Sequence, residues 1–340
     1  MKKAISATVL GGIAFVVVGC LSSVSYLRYK PATMDMTNYK RIGVLHTSID
    51  GNFGAVSTSP YYLANLFSYR HINKDYKTQL TQQQLISYAD EAMEQSLHQT
   101  GYFTVVDINS KNHIYNLTMT NSQIGQLYNV DAIIIGTISS LYWNDRSYSE
   151  THVEYDANNV PISTLKEKVE RSYHLTLSYQ IVETSSGAII YSKIFNHSTS
   201  DNDSYGDSSS LSLPSDIFYS MVDSDIRTMT RLLVPYQVRQ KVKLLFNSTY
   251  SNEFAIANKA VRSQSHQQAM DIYMNLWNQH QVPQALYNAS IVYELKTDLD
   301  SAYQAMQILY QQSPKSKYKK RLEHLKTISD EQRLVLKQLH

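Results

Sequence analysis

Val130–Trp143 reads VDAIIIGTISSLYW, and this stretch decides the fold of the chain. From Ala132 to Ile138 the residues are apolar or β-branched with one interruption, Gly136, and no polar stripe at helical spacing. A short run of this kind reads as a strand covered on both faces. Upstream, YKRIGVLHT (39–47) supplies a strand through Ile42, Val44 and Leu45, and YFTVVDI (102–108) supplies another. Between them, Leu85, Ala89, Ala92, Met93 and Leu97 share one face of a helix over Gln82–Thr100, which Gly101 stops. A shorter helix is expected at about Ser122–Asn129.

Downstream comes a charged hairpin arm around YDANNVPI (155–162), with its turn at Asp156–Asn159. YHLTLSYQIVETSSGAIIYSKIF (173–195) then alternates: Leu175, Leu177, Tyr179 and Ile181 point one way, and His174, Thr176, Ser178 and Gln180 the other. Ser185-Ser186-Gly187 turns the chain back. After the low-complexity loop NHSTSDNDSYGDSSS (196–210), Pro214 opens a helix that ends at about Leu233, and YQVRQKVKLLF (236–246) reads as an edge strand. The expectation for 39–246 is therefore an α/β (α+β), three-layer-like domain with a mixed sheet. A polar insertion, Ser48–Thr81, carries one apolar patch, SPYYLANLFSYR (59–70), which suits either a core or an exposed docking surface.

From Ser251 the texture becomes purely helical. Ala269 and Ala302 stand 33 residues apart, as do Tyr273 and Met306, Leu276 and Leu309, Ala257 and Ser290, and Ala260 and Tyr293. The unit LYNASIVYELKTDLDSAYQAMQILYQQSP (286–314) resembles a tetratricopeptide repeat, with Leu286, Tyr293, Ala302 and Pro314 at the expected positions and Ser290 in place of the usual Gly. Phe254–Gln281 is a weaker copy, since Ala260 replaces an aromatic, and SKYKKRLEHLKTI (316–328) caps the stack. The resemblance implies an all-α repeat domain at 251–340 that holds a peptide or protein in a groove. Asn258, Lys259, Tyr287 and Asn288 are the groove candidates.

The chain opens with Lys2 and Lys3 and then runs uncharged from Ala4 to Gly19, 16 residues, fewer than the ~20 a spanning helix needs. Residues 1–19 read as a signal peptide, and Cys20 is the one cysteine of 340 residues. Val17-Val18-Gly19-Cys20 resembles the lipobox of bacterial lipoproteins, with Val17 in place of the usual Leu. The resemblance implies palmitate-type acylation of Cys20 and a membrane anchor. With Leu21 rather than Asp next, it also implies the outer membrane, facing the periplasm. Residues 20–38, with Pro31, read as a linker.

The front domain, over about Tyr39–Val234, resembles the periplasmic domain of the curli secretion-channel lipoprotein and that of lipoproteins that activate penicillin-binding proteins. The carriers are KRIGVL, GYFTVVD, VDAIIIGTI and the tyrosine-rich strand ending in TSSGAII. A pore does not follow. The segments equivalent to membrane strands, Arg146–Arg171 and Asn196–Ser212, interrupt their apolar rows with Glu167 and Arg171 or lack aliphatic residues.

Removing the leader takes Lys2 and Lys3 with it, so basic and acidic side chains balance at 29 each. That balance argues against a nucleic-acid partner. No H-E-x-x-H, nucleophile elbow, phosphate loop or dinucleotide fingerprint occurs. Asp201, Asp203 and Gly206 fall on calcium-loop positions, but Tyr205 and Ser212 stand where the loop needs ligands, so the segment reads as a solvated loop. The basic run KYKKRLEHLK (317–326) reads as a wet helix face. The expectation is no catalytic residue, cofactor or metal, and a non-enzymatic adaptor or scaffold in envelope or surface-structure assembly. A periplasmic enzyme with an unrecognised site and a secretion-pore component stay open as alternatives, and so does a homo-oligomer.

The mature protein is expected to partition with detergent-extracted membranes and to carry acyl mass on its Cys20 peptide, whereas the Cys20→Ser chain leaves with osmotic shock. An unmodified thiol in the membrane-extracted protein contradicts this.

Overall fold

Ala132, Ile133 and Ile134 are completely buried, and the strand that carries them is the axis of a five-stranded sheet. The computed structural model describes residues 23–49, 82–109, 119–203 and 211–339. The leader, Cys20, the apolar patch at 59–70 and Gly206 lie outside them. In chain order the elements are β1 (Ser23–Lys30), β2 (Arg41–Ile49), α1 (Gln82–Thr100), β3 (Thr104–Asp107), α2 (Asn121–Tyr128), β4 (Ala132–Tyr155), β5 (Pro161–Glu183), β6 (Ile189–Asp203), α3 (Pro214–Leu233) and β7 (Tyr236–Lys243). Five further helices follow: α4 (Ser251–Arg262), α5 (His266–His280), α6 (Pro283–Leu295), α7 (Leu299–Gln312) and α8 (Ser316–Leu339). The chain divides into two compact units, Thr33–Val234 and a second made of residues up to Ala32 together with Pro235–His340.

In the first unit the sheet order is β3-β2-β4-β5-β6, parallel through β3-β2-β4 and antiparallel through β4-β5-β6. The mixed sheet and the covering helices agree with the expected α/β class. On one face α1 and α3 bury Leu85, Met93, Leu97, Met221, Ile226 and Met229 against Ile42, Val44, Ile134, Leu175, Leu177 and Tyr179. On the other, Ile124 of α2 packs with Ile108, Val130 and Ile133. Adjacent isoleucines of β4 thus serve opposite layers, which is why that strand is apolar without alternation. The α2 start is a capping box between Thr120 and Gln123. Asp156 Oδ1 accepts from the amides of Asn158 (2.9 Å) and Val160 (2.8 Å), closing the expected hairpin turn.

β4 and β5 run past the sheet as a two-stranded arm, paired from Arg146↔Glu170 to Tyr155↔Pro161. One face of the arm carries Glu150, Glu154, Lys166 and Lys168 in cross-strand ion pairs. The other exposes Val153 and Leu165, the latter 76% open. At the arm's root Arg171 is buried rather than interrupting an outward-facing row. It grips Asp145 with two bonds (2.6 and 2.8 Å) and stacks 5.1 Å from the Trp143 ring.

The second unit holds two corrections. Ser23–Lys30, expected inside a linker, is a strand, and Tyr236–Lys243, expected at the edge of the α/β domain, is its antiparallel partner, in register from Ser23↔Lys243 to Lys30↔Tyr236. Val24, Tyr26 and Val242 turn into the helical core with Phe254, Tyr273 and Ile291. The Tyr26 hydroxyl donates to Glu294, Arg321 donates to the same carboxylate, and Arg28 pairs with Glu331. Farther along, Gln338 clamps Ala32, accepting from its N–H (2.8 Å) and donating to its C=O (3.0 Å). Residues 26, 28 and 32 therefore meet positions 321 (through Glu294), 331 and 338 in turn, so β1 runs parallel to α8. Glu294 is 2% exposed, and removing one partner from such a buried charge group typically costs about 3–5 kcal/mol.

α4 with α5, and α6 with α7, form consecutive helical hairpins, and α5 and α7 begin 33 residues apart at His266 and Leu299. The 33-residue equivalents Ala269 and Ala302, Tyr273 and Met306, and Leu276 and Leu309 are all buried. Beyond the expected cap at 316–328, α8 continues to Leu339 and offers the surface that β1 covers.

A Cβ on Gly125 of α2 would lie 2.2 Å from Thr184 Cβ. Thr184 is fixed by donating to Val130 O (2.6 Å) and Asp131 O (3.0 Å). Gly125→Ala is therefore expected to destabilise the α/β unit by about 1–3 kcal/mol, read as a lower Tm; an unchanged Tm contradicts this packing.

Candidate functional site

The α/β unit hides a polar layer between its sheet and two helices. Asp90 lies on the apolar face of α1, where Oδ1 accepts from Thr47 N (2.9 Å) and Thr47 Oγ1 (2.5 Å). Its Oδ2 sits 2.6 Å from His46 Nδ1. Across the layer, His197 Nε2 of β6 is 2.6 Å from Oδ1 of Asp225 on α3. Between the two pairs stands Tyr179, whose hydroxyl is buried without a hydrogen-bond partner.

Burial is the largest influence on the acids and the tyrosine of this layer. It raises Asp90, against the opposing pull of Thr47 and His46. It lifts Asp225 to about 6 against His197. Glu94, one turn beyond Asp90, reaches about 7 through burial and the nearby charges of Asp107, Asp90 and Glu91. Tyr179 is pushed up by burial first, then by Asp225 and Asp90.

Two histidine–aspartate pairs have the ingredients of proton transfer, but a catalytic group must reach a substrate. Two open grooves are formed by described residues, and neither shares a residue with this layer. One, about 360 Å³, is lined by Tyr88, Glu91, Gln95, Ser96, Asp223 and Arg227 of α1 and α3. The other, about 500 Å³, belongs to the helical unit and is lined by Tyr250, Glu253, Asp271, Asn275, Gln279 and His280. The polar layer instead ties α1 and α3 to the sheet through charge-assisted bonds. Among the described residues no cluster of three metal-ligating side chains occurs, and Asp201 accepts from Ser212 N (2.8 Å) at the base of its loop. No described helix is long and apolar enough to cross a membrane.

The four groove candidates do not line one open groove; Asn258 and Asn288 meet inside the unit, Asn288 Nδ2 lying 3.5 Å from Asn258 Oδ1. Asn288 is completely buried and clamps the backbone of Leu245, accepting from its N–H (2.8 Å) and donating to its C=O (2.8 Å). Asn258 is buried and accepts from the Tyr273 hydroxyl. Both amides are structural, which corrects their reading as open ligands for a partner. Tyr287 packs on Tyr318 at 6.1 Å between rings, and Lys259 alone is fully exposed. The larger groove uses other positions. The sequence carries a signal for it only in the unpatterned polar residues Glu253, Asp271, Asn275 and Gln279 on the outer faces of α4 and α5.

No protein family and no curated protein matches this sequence. Among solved structures, the chain is similar to the PelC dodecamer from Paraburkholderia phytofirmans, at 10% identity over 62% of this chain and 98% of that one (TM-score 0.27). It is also similar to a putative neuraminyllactose-binding hemagglutinin homolog from Helicobacter pylori, at 15% identity over 60% and 88% (TM-score 0.31). A minor lipoprotein from Acinetobacter baumannii matches at 9% identity over 57% and 91% (TM-score 0.24). Likenesses at this level establish neither a shared fold nor a shared role.

A carboxyl group whose folded pKa lies above its unfolded value stabilises the fold at low pH and loses that contribution as pH rises. For Glu94 the window runs from the ordinary 4.5 to about 7. Glu94→Gln is expected to flatten the fall in stability across that window in denaturant titrations; an unaltered slope contradicts the burial of this carboxyl.

Proposed function

We propose that this chain is a lipid-tethered envelope protein of the outer membrane, facing the periplasm, that works as a non-enzymatic adaptor or scaffold. Acyl chains on Cys20 hold it to the bilayer. Helical hairpins of the tetratricopeptide kind hold a protein partner, and the front domain is of the curli-channel and penicillin-binding-protein-activator kind without the pore. The observation that carries the reading is a contrast. The raised acids of the α/β unit, Asp90 and Asp225, are buried in a layer that shares no residue with either groove of the described residues, while the larger of the two opens on α4 and α5. That groove mixes a stacked Tyr250–His280 pair (5.1 Å) with Glu253 and Asp271. Its chemistry suits an extended segment that offers cationic or amide side chains, with an apolar group for the ring pair. The leader and lipobox supply the tether part of the reading.

Crosslinking in intact cells followed by pull-down tests both parts. The wild-type chain is expected to capture an envelope protein. Glu253→Lys with Asp271→Lys is expected to lower its yield about tenfold, and Cys20→Ser to lose or change the partner. The same partner at the same yield from every variant contradicts the proposal.

A further inference from the structure

We infer that the outward face of the β1–β7 ribbon is a docking surface for a bilayer of anionic phospholipid, so that the helical unit lies against the membrane instead of hanging from it. The inference rests on the reading of Cys20 as the lipid anchor. Leu21 and Ser22 alone separate Cys20 from Ser23, the first residue of β1. Three residue steps reach at most about 11 Å. Within the segment read as a linker, Ser23–Lys30 is strand, bound to β7 along its whole length.

The ribbon has two unlike faces. Val24, Tyr26, Arg28 and Val242 turn toward the helices. Ser25, Leu27 and Tyr29 turn out, with Arg239, Lys241 and Lys243 beside them, and all six are exposed. In the paired register Lys243 sits opposite Ser23, Lys241 opposite Ser25 and Arg239 opposite Leu27. Cations therefore alternate with an aliphatic and an aromatic side chain, without an acid, and the charge is densest at the end nearest the anchor. Because β1 runs parallel to α8, the start of that helix lies toward the same end. Its exposed Lys315, Lys317, Lys319 and Lys320 add positive charge there. Burial and the neighbouring Lys315 both lower Lys317, the mark of cations crowded together.

A bilayer is the occupant this chemistry fits. Anionic headgroups attract Lys and Arg at the surface, while Leu and Tyr side chains suit the headgroup boundary. Each cation near an anionic surface contributes about 1 kcal/mol, and a tether of this length adds a high local concentration beside the membrane. The chain as a whole is nearly neutral, so the patch is a local excess, invisible in net charge.

The test reconstitutes the acylated full chain into vesicles of phosphatidylethanolamine with or without phosphatidylglycerol. Lysines are then labelled with a membrane-impermeant amine reagent and read by mass. Lys241, Lys243, Lys317 and Lys319 are expected to label at least threefold less in the anionic vesicles, with Lys259 and Lys296 unchanged. High salt should abolish the difference. Equal labelling in both vesicle types overturns the inference. The mass of the Cys20 peptide reports independently whether the anchor exists. If it does not, the unacylated chain should still cosediment with anionic and not zwitterionic vesicles, and should lose that binding with Arg239→Glu, Lys241→Glu and Lys243→Glu. Loss of equal size with Lys259→Glu and Lys296→Glu, or no cosedimentation by the unacylated chain, overturns it.

Discussion

One buried carboxylate, Glu294, organises the helical unit. It accepts from Tyr26 on the first strand and from Arg321 on the last helix, with the His324 ring 3.9 Å away. Residues more than 260 positions apart in sequence are thereby held on one side chain of α6. A charge buried this deeply is tolerated only when its partners are in place. Strand β1 is therefore an integral part of the helical unit, and only Leu21 and Ser22 separate it from Cys20 in the sequence.

The α/β unit obeys a different constraint. Its sheet is parallel on one side of β4 and antiparallel on the other; β4 is covered on both faces and apolar without alternation, while β5 alternates. Apolar burial alone does not complete the contact with α1 and α3. Asp90 and Asp225 cross it and meet histidines from β2 and β6. Burial raises the pKa of both acids, so the layer is a fastening between helices and sheet whose strength varies with pH.

Much of this fold was legible in the residues. The alternation at 173–183, the buried run at 132–138, the helix at 82–100 and the two turns at 156–159 and 185–187 follow from local periodicity and turn chemistry, and these elements stand where they were expected. The β1–β7 pair was not legible. Its partners lie about 210 residues apart, no turn announces them, and a single eight-residue strand beside Pro31 is indistinguishable from a linker. Asn258 and Asn288 were misplaced because a polar side chain was equated with an open surface. Their amides instead satisfy Tyr273 and the Leu245 backbone inside the unit. Asp90 and Asp225 escaped notice for the same reason in reverse, since one acid on an apolar helix face breaks no periodicity.

Hydrogen exchange along Ser23–Lys30 tests the central claim most directly, because a strand bonded to β7 and a loose tether differ by orders of magnitude in amide protection. The β1 amides that bond to β7 are expected to exchange as slowly as those of α6, and Glu294→Gln to release β1 ahead of the rest of the helical unit. Exchange of β1 at the rate of an unstructured chain, with α6 and α8 still protected, would contradict the account.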